Sequence, residues 1–377
     1  MSLRRTRAIF QKEVRHIIRD PRSLAMALAM PLLMLLLFGY ALNLDVDRIP
    51  TLIYDADQSA VSRALIQRFE GSRFFDVRGF VSGYAEIEKG IDRNRILMGL
   101  SIPRNYARRI EAGQAVDVQI LLDGSDSNTA AIALGYAESV VANYAFELRS
   151  NGANQSMGRT FHIPVEPRVR VWYNTTLQSK NYVVPGLVAV ILMIIGALLT
   201  SLTIAREWEM GTMEQLLSTP IRAHEIVLGK MLAFFVVGTV DALTSILAGI
   251  FVFNVPFRGS VALLALSTCI FLMGTFFLGI ALSAIAKSQL LAFQLGMLAS
   301  FLPSFLLSGF IYAIENMPAP IQWITRFVPA RYFATILKGL FLKGVGVQVL
   351  WGELMFLVAF GVLTFLLATW KLGQKLG

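Results

Sequence analysis

The sequence predicts a polytopic α-helical membrane protein. Six transmembrane helices are expected, with an α/β domain inserted on the outer side between helices 1 and 2. Three observations lead there. Mean hydropathy over the 377 residues is +0.60 and 55% of them are hydrophobic, which is membrane-protein composition. Six apolar runs are each about 20 residues or longer, enough for a hydrocarbon core of about 30 Å. Between the first and second runs lies a polar stretch of domain size, 43–181, whose 16 Lys/Arg balance 16 Asp/Glu.

Residues 1–22 are basic, with Arg4, Arg5, Arg7, Lys12, Arg15, Arg19 and Arg22 against Glu13 and Asp20. Leu3, Ala8, Ile9, Val14, Ile17 and Ile18 recur with partial helical periodicity. A basic amphipathic helix followed at once by a span reads as an interfacial helix on an anionic, cytoplasmic membrane face. The net charge of +9 is therefore read as topology, and no nucleic-acid partner is expected. Asp20-Pro21 ends that helix, because proline disfavours a helical residue before it. The first span is 23–42. It contains Pro31, tolerable where neighbours re-satisfy the freed carbonyl, and lacks a small-residue cleavage site. The positive-inside rule puts residue 1 in the cytoplasm and residue 43 outside.

Within 43–181, strands are expected at 51–54, 74–80, 96–102 and 116–122. Helices are expected at 59–69 and 84–91, from near Pro103 to 111, and from an Asp126 or Ser127 cap to about 149. Strands alternating with helices imply a small mixed or parallel sheet. A loop is expected over 150–163, and a last strand through Val169, Val171 and Tyr173. The run Asp123–Asn128 has a calcium-loop flavour but lacks the closing glutamate of an EF-hand, so a turn and helix cap is the better reading.

Five more spans follow at 183–205, 227–252, 261–285, 289–313 and 350–370, ending in a cytoplasmic tail, 371–377. The linker 206–226 falls in the cytoplasm and 254–259 outside, and Lys287-Ser288 makes a tight cytoplasmic turn. Segment 314–349 falls outside, although its Arg and Lys residues run against the positive-inside count. Its prolines and aromatics interrupt apolar runs too short to span, which reads as re-entrant or interfacial helices. Pro318, Trp323, Pro329, Arg331 and Tyr332 mark it, with Trp323, Tyr332 and Phe333 at headgroup level.

No catalytic constellation is visible. His16, His162 and His224 are scattered without HExxH, and Cys269 lies alone in an apolar run, a small buried hydrophobe. Gly229-Lys230 is followed by Met231 and has no loop glycine in register, so it is not a P-loop; a nucleophile elbow is also missing. Asp241, inside the third span, is a functional candidate by default; a hydrogen-bonded packing role is equally open. Glu353 reads as interfacial, and Gln289 and Gln294 as structural. Gly186, Gly196, Gly238, Gly274 and Gly279 suit close helix packing. Phe276, Phe277, Phe301, Phe305 and Phe310 fit either an apolar path or ordinary packing.

One charged stretch stands apart. Residues 205–220, AREWEMGTMEQLLSTP, lie between two spans. Unpaired charge is costly in hydrocarbon, so this segment sits at the surface and faces a partner or water. An ordinary solvated linker is the plain alternative. Its Arg206, Glu207, Glu209, Gly211, Thr212, Glu214, Leu216, Leu217 and Pro220, however, resemble the coupling segment of ABC-2 type transporter permeases. Arg19-Asp20-Pro21, Phe38-Gly39-Tyr40, the 123–129 run, 302–310 and the 315–333 segment extend the resemblance to the whole chain, within the bacterial multidrug-exporter type.

That resemblance implies a permease subunit of an ATP-driven exporter of drugs or other amphipathic molecules in the bacterial inner membrane, with the α/β domain in the periplasm and both termini cytoplasmic. The helix 206–217 would dock in a cleft of a separate ATP-binding cassette subunit that holds the ATP and Mg. Glu207, Glu209 and Glu214 would pair with its basic groups, and Gly211-Thr212 would allow close contact. The amino-terminal helix, with Arg15, Arg19, Asp20 and Pro21, would rest on the same subunit. A second permease, identical or paralogous, and a periplasmic adaptor would complete the assembly. This chain itself would carry no cofactor, metal or ATPase site. Export of a lipid or glycan, and a receptor relaying a ligand signal through 206–220, are the competing readings. A membrane enzyme ranks last for want of an acid, base or metal cluster.

Overall fold

A computed structural model describes residues 2–42, 48–157, 173–174, 178–286, 288–312 and 314–376. The elements in chain order are α1 (Leu3–Arg19), α2 (Pro21–Ala41), β1 (Ile49–Asp55), α3 (Ala60–Glu70), β2 (Phe75–Phe80), α4 (Tyr84–Asp92), β3 (Met98–Ile102), α5 (Tyr106–Glu111), β4 (Gln119–Leu122) and α6 (Ser127–Met157). There follow α7 (Lys180–Glu209), α8 (Thr212–Leu217), α9 (Ala223–Phe251), α10 (Val261–Ile285), α11 (Gln289–Leu307), α12 (Ala319–Thr325), α13 (Pro329–Lys338) and α14 (Val347–Leu376). They divide into two compact units, 1–44 with 171–377, and 45–170.

The 45–170 unit is built on a four-stranded sheet of order β2-β1-β3-β4. β1 runs parallel to β2 and β3, and β4 is antiparallel to β3. Parallel neighbours need crossover helices, which α3 and α4 supply. Ser59 caps α3 through Ser62 N–H, and Asp55 Oδ2 accepts the Ser62 hydroxyl at 2.7 Å. Leu65, Ile66 and Phe69 of α3 share a core with Ile49, Ile53, Leu100 and Ile102 of the sheet. Tyr144 of α6 closes it, donating its hydroxyl to the Val61 carbonyl at 3.0 Å. The fourth strand begins at Gln119, not 116, as a short edge. The Asp123–Asn128 run is a turn and cap: Ser125 N–H donates to Asp123 and the Thr129 hydroxyl to Asp126. Residues 150–157, read above as loop, continue α6, because 143–150 is good helix-forming sequence and no proline intervenes to stop it. The proposed strand through Val169 and Val171 lies outside the described residues.

The other unit is helical. Among the described residues, α2, α7, α9, α10, α11 and α14 are long and apolar enough to cross a membrane. Their most apolar windows differ in burial: 83% for α7 against 17–22% for α2, α11 and α14. α7 is thus the hub, and the other three are peripheral. Small residues let it serve as one. At Gly279 of α10 a Cβ would sit 2.0 Å from Thr200 Oγ1 and 2.5 Å from the Ala197 carbonyl oxygen, so the two helices cross nearly backbone to backbone. One turn on, Ser283 Oγ accepts from Ile204 and Ala205 N–H at 3.0 Å each. Phe276, Phe277 and Phe310 are buried in this core.

Helix bounds depart from the apolar runs where charge continues a helix. α7 runs through Arg206-Glu207-Trp208-Glu209, α9 starts at Ala223, and α14 spans 347–376. Between α11 and α14, α12 and α13 are tied together. Arg331 Nη1 donates to Thr325 Oγ1 at 2.6 Å and the Tyr332 hydroxyl to the Arg326 carbonyl at 2.9 Å. Phe333 is fully buried and stacks on Phe271 with ring centroids 4.1 Å apart. It is a packing residue of α13, not the headgroup aromatic expected above.

Candidate functional site at the junction of the amino-terminal helix with 206–230

α1 lies against the start of α9 and the end of α7. Its buried stripe is Thr6, Ile9 and Glu13, spaced at i, i+3 and i+7 so that one helix face carries them. The crossing point is Gly229: a Cβ there would meet Ile9 Cβ at 2.7 Å and the Thr6 carbonyl oxygen at 3.0 Å. Glu225, at the first turn of α9, receives Ser2 N–H at 2.6 Å and Arg222 N–H at 3.2 Å. Arg5 completes the latch, with its guanidinium 3.8 Å from Glu225 and hydrogen-bonded to the Pro220 carbonyl.

A buried ion cluster lies below this latch. Lys230 Nζ, on a residue 1% exposed, sits 2.9 Å from Glu13 Oε1 and 3.1 Å from Glu207 Oε1. Lys12 Nζ approaches the same Glu207 oxygen at 2.5 Å. Two lysines and two glutamates leave the cluster neutral, which is what a buried charge requires. Three helices distant in sequence meet in it.

This geometry corrects two expectations. The segment 206–217 is not one helix. Arg206–Glu209 is the last turn of α7, Gly211 has φ +68°, and α8 starts anew at Thr212. A left-handed residue ends a helix and glycine adopts it without steric cost. Nor does Glu207 face outward. It is 7% exposed and committed to Lys230 and Lys12. Glu209 is bound within the chain as well, accepting both the backbone and side-chain N–H of Gln289 at the start of α11; Arg206 Nε also reaches Gln289, at 3.4 Å. Thr212 Oγ1 donates to the Glu207 carbonyl at 3.3 Å. Met213 is fully buried and pins α8, with Leu216 packed against the same core. The side chain of Leu217 lies outside those described. Gly211, Glu214, Gln215, Ser218, Thr219 and Pro220 form the exposed rim.

The remaining candidates are dispersed. Arg15 and Arg19 are exposed on α1; Asp20 is the break after it, and Pro21 opens α2. Pro318 precedes α12 and Pro329 opens α13, both at helix starts where proline fits. Trp323 is 62% exposed beneath the Arg326 guanidinium, and Tyr332 stacks on Phe356. Asp241 is 2% exposed, and its Oδ1 has no hydrogen-bond partner among the described residues; one turn on, the buried Ser245 hydroxyl is in the same condition. Among the described residues no group of three or more His, Cys, Asp or Glu could hold a metal ion.

Lys12, Glu13, Glu225, Gly229 and Lys230 were not singled out from the sequence as parts of a site. One signal was there: a lysine eight residues into an apolar helix needs a counter-charge, and only Lys230 fits that description in 223–251.

Comparison with known proteins settles the family. The family model for ABC-2 family transporter protein matches residues 21–370. The chain belongs to this family. Among ABC-2 relatives it is 36% identical, over 98% of its length and 97% of the other, to a protein of Escherichia coli K12 named probable multidrug ABC transporter permease YbhS. It is 33% identical, over 92% of both chains, to probable multidrug ABC transporter permease YbhR of the same organism. A third ABC-2 protein of that organism, inner membrane transport permease YhhJ, is 28% identical over 87% of this chain and 86% of its own. The ABC-2 assignment and the six apolar helices together make this a multi-pass membrane protein.

Proposed function

We propose that this chain is the permease subunit of an ATP-driven exporter of drugs or other amphipathic small molecules in a bacterial inner membrane. The observation that carries the proposal is the rim formed by the exposed Gly211, Glu214, Gln215, Ser218, Thr219 and Pro220, set between two spans and held from behind. α1 latches its far end through Arg5, Pro220 and Glu225, and the Glu13-Lys230-Glu207 cluster fixes its near end. A short, braced hairpin with a solvent-facing charge suits force transmission from a docked partner better than a loose linker does. That partner is a separate ATP-binding cassette subunit, which holds ATP and Mg. Glu214, exposed and with no ion pair within 4.0 Å among the described residues, is the carboxylate of this segment left to meet its basic groups. The names of the relatives support drug export, and a mostly apolar cavity of about 580 Å³ between α1, α2, α7 and α9 suits an amphipathic substrate.

In this reading both termini and the 210–222 rim are cytoplasmic. The sheet unit is periplasmic, and α12–α13 form the external re-entrant pair. A second permease completes the pore and a periplasmic adaptor extends it. Co-purification tests the core of the reading. The tagged chain should retain an ATP-binding cassette subunit from native membranes, and Glu214→Lys should reduce the yield of that subunit while leaving the permease intact. Retention of a sensor kinase in its place would favour the receptor reading.

A further inference from the structure

The cavity between α1, α2, α7 and α9, about 580 Å³ in volume, changes character along α7. Leu198 and Leu202 line an apolar body together with Ala27, Met30 and Met34 of α2. One turn further along α7, Arg206 lines a polar end with Lys12 and His16 of α1. Those two α1 side chains are exposed and, at i and i+4, share one helix face. The size is that of a small-molecule site, and an apolar body with a few convergent polar groups is the usual make-up of one.

The charges in that lining do not all cancel within the chain. Glu13 and Glu207 are held by Lys230 and Lys12. Asp20, at the break between α1 and α2, is engaged within the chain as well. Arg206 is the charge left over. Among the described residues it forms no ion pair, and its one hydrogen bond is the 3.4 Å contact from Nε to Gln289. Both oxygens of Glu209 accept from Gln289 instead. Arg206 is partly buried, yet neither of its terminal nitrogens is a buried atom without a partner; both are accessible. We infer that this cavity binds an amphiphile whose apolar chain ends in a phosphate, with the chain along α2 and α7 and the phosphate on the Arg206 guanidinium. The planar fork of N–H groups matches two phosphate oxygens at once, and basic pockets between membrane helices hold phosphate head groups in this way. The anion balances a charge outside the cluster of Glu13, Lys230, Glu207 and Lys12, so the cluster keeps its neutrality and its bonds. Methionine in the walls suits such a ligand, because Met repacks around varied apolar shapes. The same chemistry has two sources, an anionic membrane lipid and a soluble alkyl phosphate. As a substrate site the cavity rests on the export reading; as a binding site it does not.

Photolabelling of the purified full chain tests this directly, in phosphatidylcholine nanodiscs, whose lipid has no net charge. The probe is dodecyl phosphate carrying a diazirine on its alkyl chain, with labelled peptides mapped by mass spectrometry. Label should concentrate on 24–34 and 194–202, and unlabelled dodecyl phosphate should displace it. Dodecanol, without charge, and dodecyltrimethylammonium, of the opposite charge, should each compete about tenfold less well, the worth of one charge-assisted hydrogen bond. Arg206→Gln should weaken labelling by about the same factor and, lying outside the ion cluster, should leave the elution profile of the folded chain unchanged. Arg15→Gln removes an exposed α1 cation that does not line the cavity and should leave labelling unchanged, which separates a site from a basic surface. Ala27→Phe narrows the apolar body and should abolish the label in a chain that still elutes as folded protein. When phosphatidylglycerol is added to the nanodiscs, lost labelling would identify the occupant as the anionic membrane lipid, and persistent labelling a soluble alkyl phosphate. Uniform labelling of all lipid-facing helices, equal competition by dodecanol or the trimethyl compound, or unchanged labelling in Arg206→Gln would overturn the assignment. Failure here leaves the ATP-binding partner untouched, and failure to recover that partner leaves the binding result standing.

Discussion

Replacing Lys230 by Met removes the central charge of the junction and keeps most of its volume. The wild-type cluster holds two lysines and two glutamates; the variant holds Lys12 against Glu13 and Glu207. Lys12 is half exposed and lies 3.9 Å from Glu13 and 2.5 Å from Glu207, so it satisfies one carboxylate well and the other weakly. Breaking a buried ion pair by removing one partner costs about 3–5 kcal/mol, because the remaining charge is stranded. We expect a loss in that range in an SDS-unfolding titration of the purified chain. A second signature separates charge from packing. Lys230→Met combined with Glu13→Gln should recover much of the loss, since Glu207 then keeps Lys12 and no carboxylate is stranded. The coupling energy between the two substitutions should exceed 1 kcal/mol, beyond the additivity error of about 0.5 kcal/mol for independent sites. A Lys230→Met chain within about 1 kcal/mol of wild type, or strict additivity, would refute the buried cluster.

Three further outcomes follow from particular contacts. Gly279→Ala should sharply reduce the yield of folded chain, because the new Cβ would fall 2.5 Å from the Ala197 backbone oxygen and a backbone cannot rotate away; size-exclusion profiles would report it. Gly211→Ala meets open space, so its cost is the left-handed backbone alone, about 1–2 kcal/mol. Hydrogen exchange should rise across 209–218, with Gly211→Asn milder. In the sheet unit, burial, with smaller contributions from Tyr144 and Asp57, pushes the Tyr106 phenol above its ordinary value. A raised folded-state value means that the folded state holds the proton longer. This stability is therefore full below about pH 10, where the unfolded phenol titrates, and is lost as pH climbs from there through the folded value. Tyr106→Phe should flatten that alkaline limb in a chemical-denaturation series.

The spans were legible because each is a long apolar run, and such a run has few alternatives to crossing a bilayer. The break between α1 and α2 was legible for a local reason, Pro21. Hydropathy alone could not show where a helix ends once charge begins. Arg206–Glu209 looks like linker, yet i→i−4 bonding carries α7 through it until Gly211 turns left-handed. The direction of Glu207 was beyond one-dimensional reading, since it is decided by Lys230 and Lys12, 23 and 195 residues away. Phe333 misled for a related reason: an aromatic beside prolines suits either an interface or a core, and Phe271 decides between them. At 150–157 polar composition suggests a loop, but α6 continues through it.

The central claim is that the rim between α7 and α9 is where an ATP-binding subunit docks. The most direct measurement is site-specific photocrosslinking in native membranes. A benzoylphenylalanine at the exposed Gln215 would be compared with one at Met355, 62% exposed on α14. The account predicts an adduct to an ATP-binding cassette protein from position 215 and none from 355. A strong adduct from 215 to a protein without an ATP-binding cassette, in membranes that contain the cassette subunit, would contradict it.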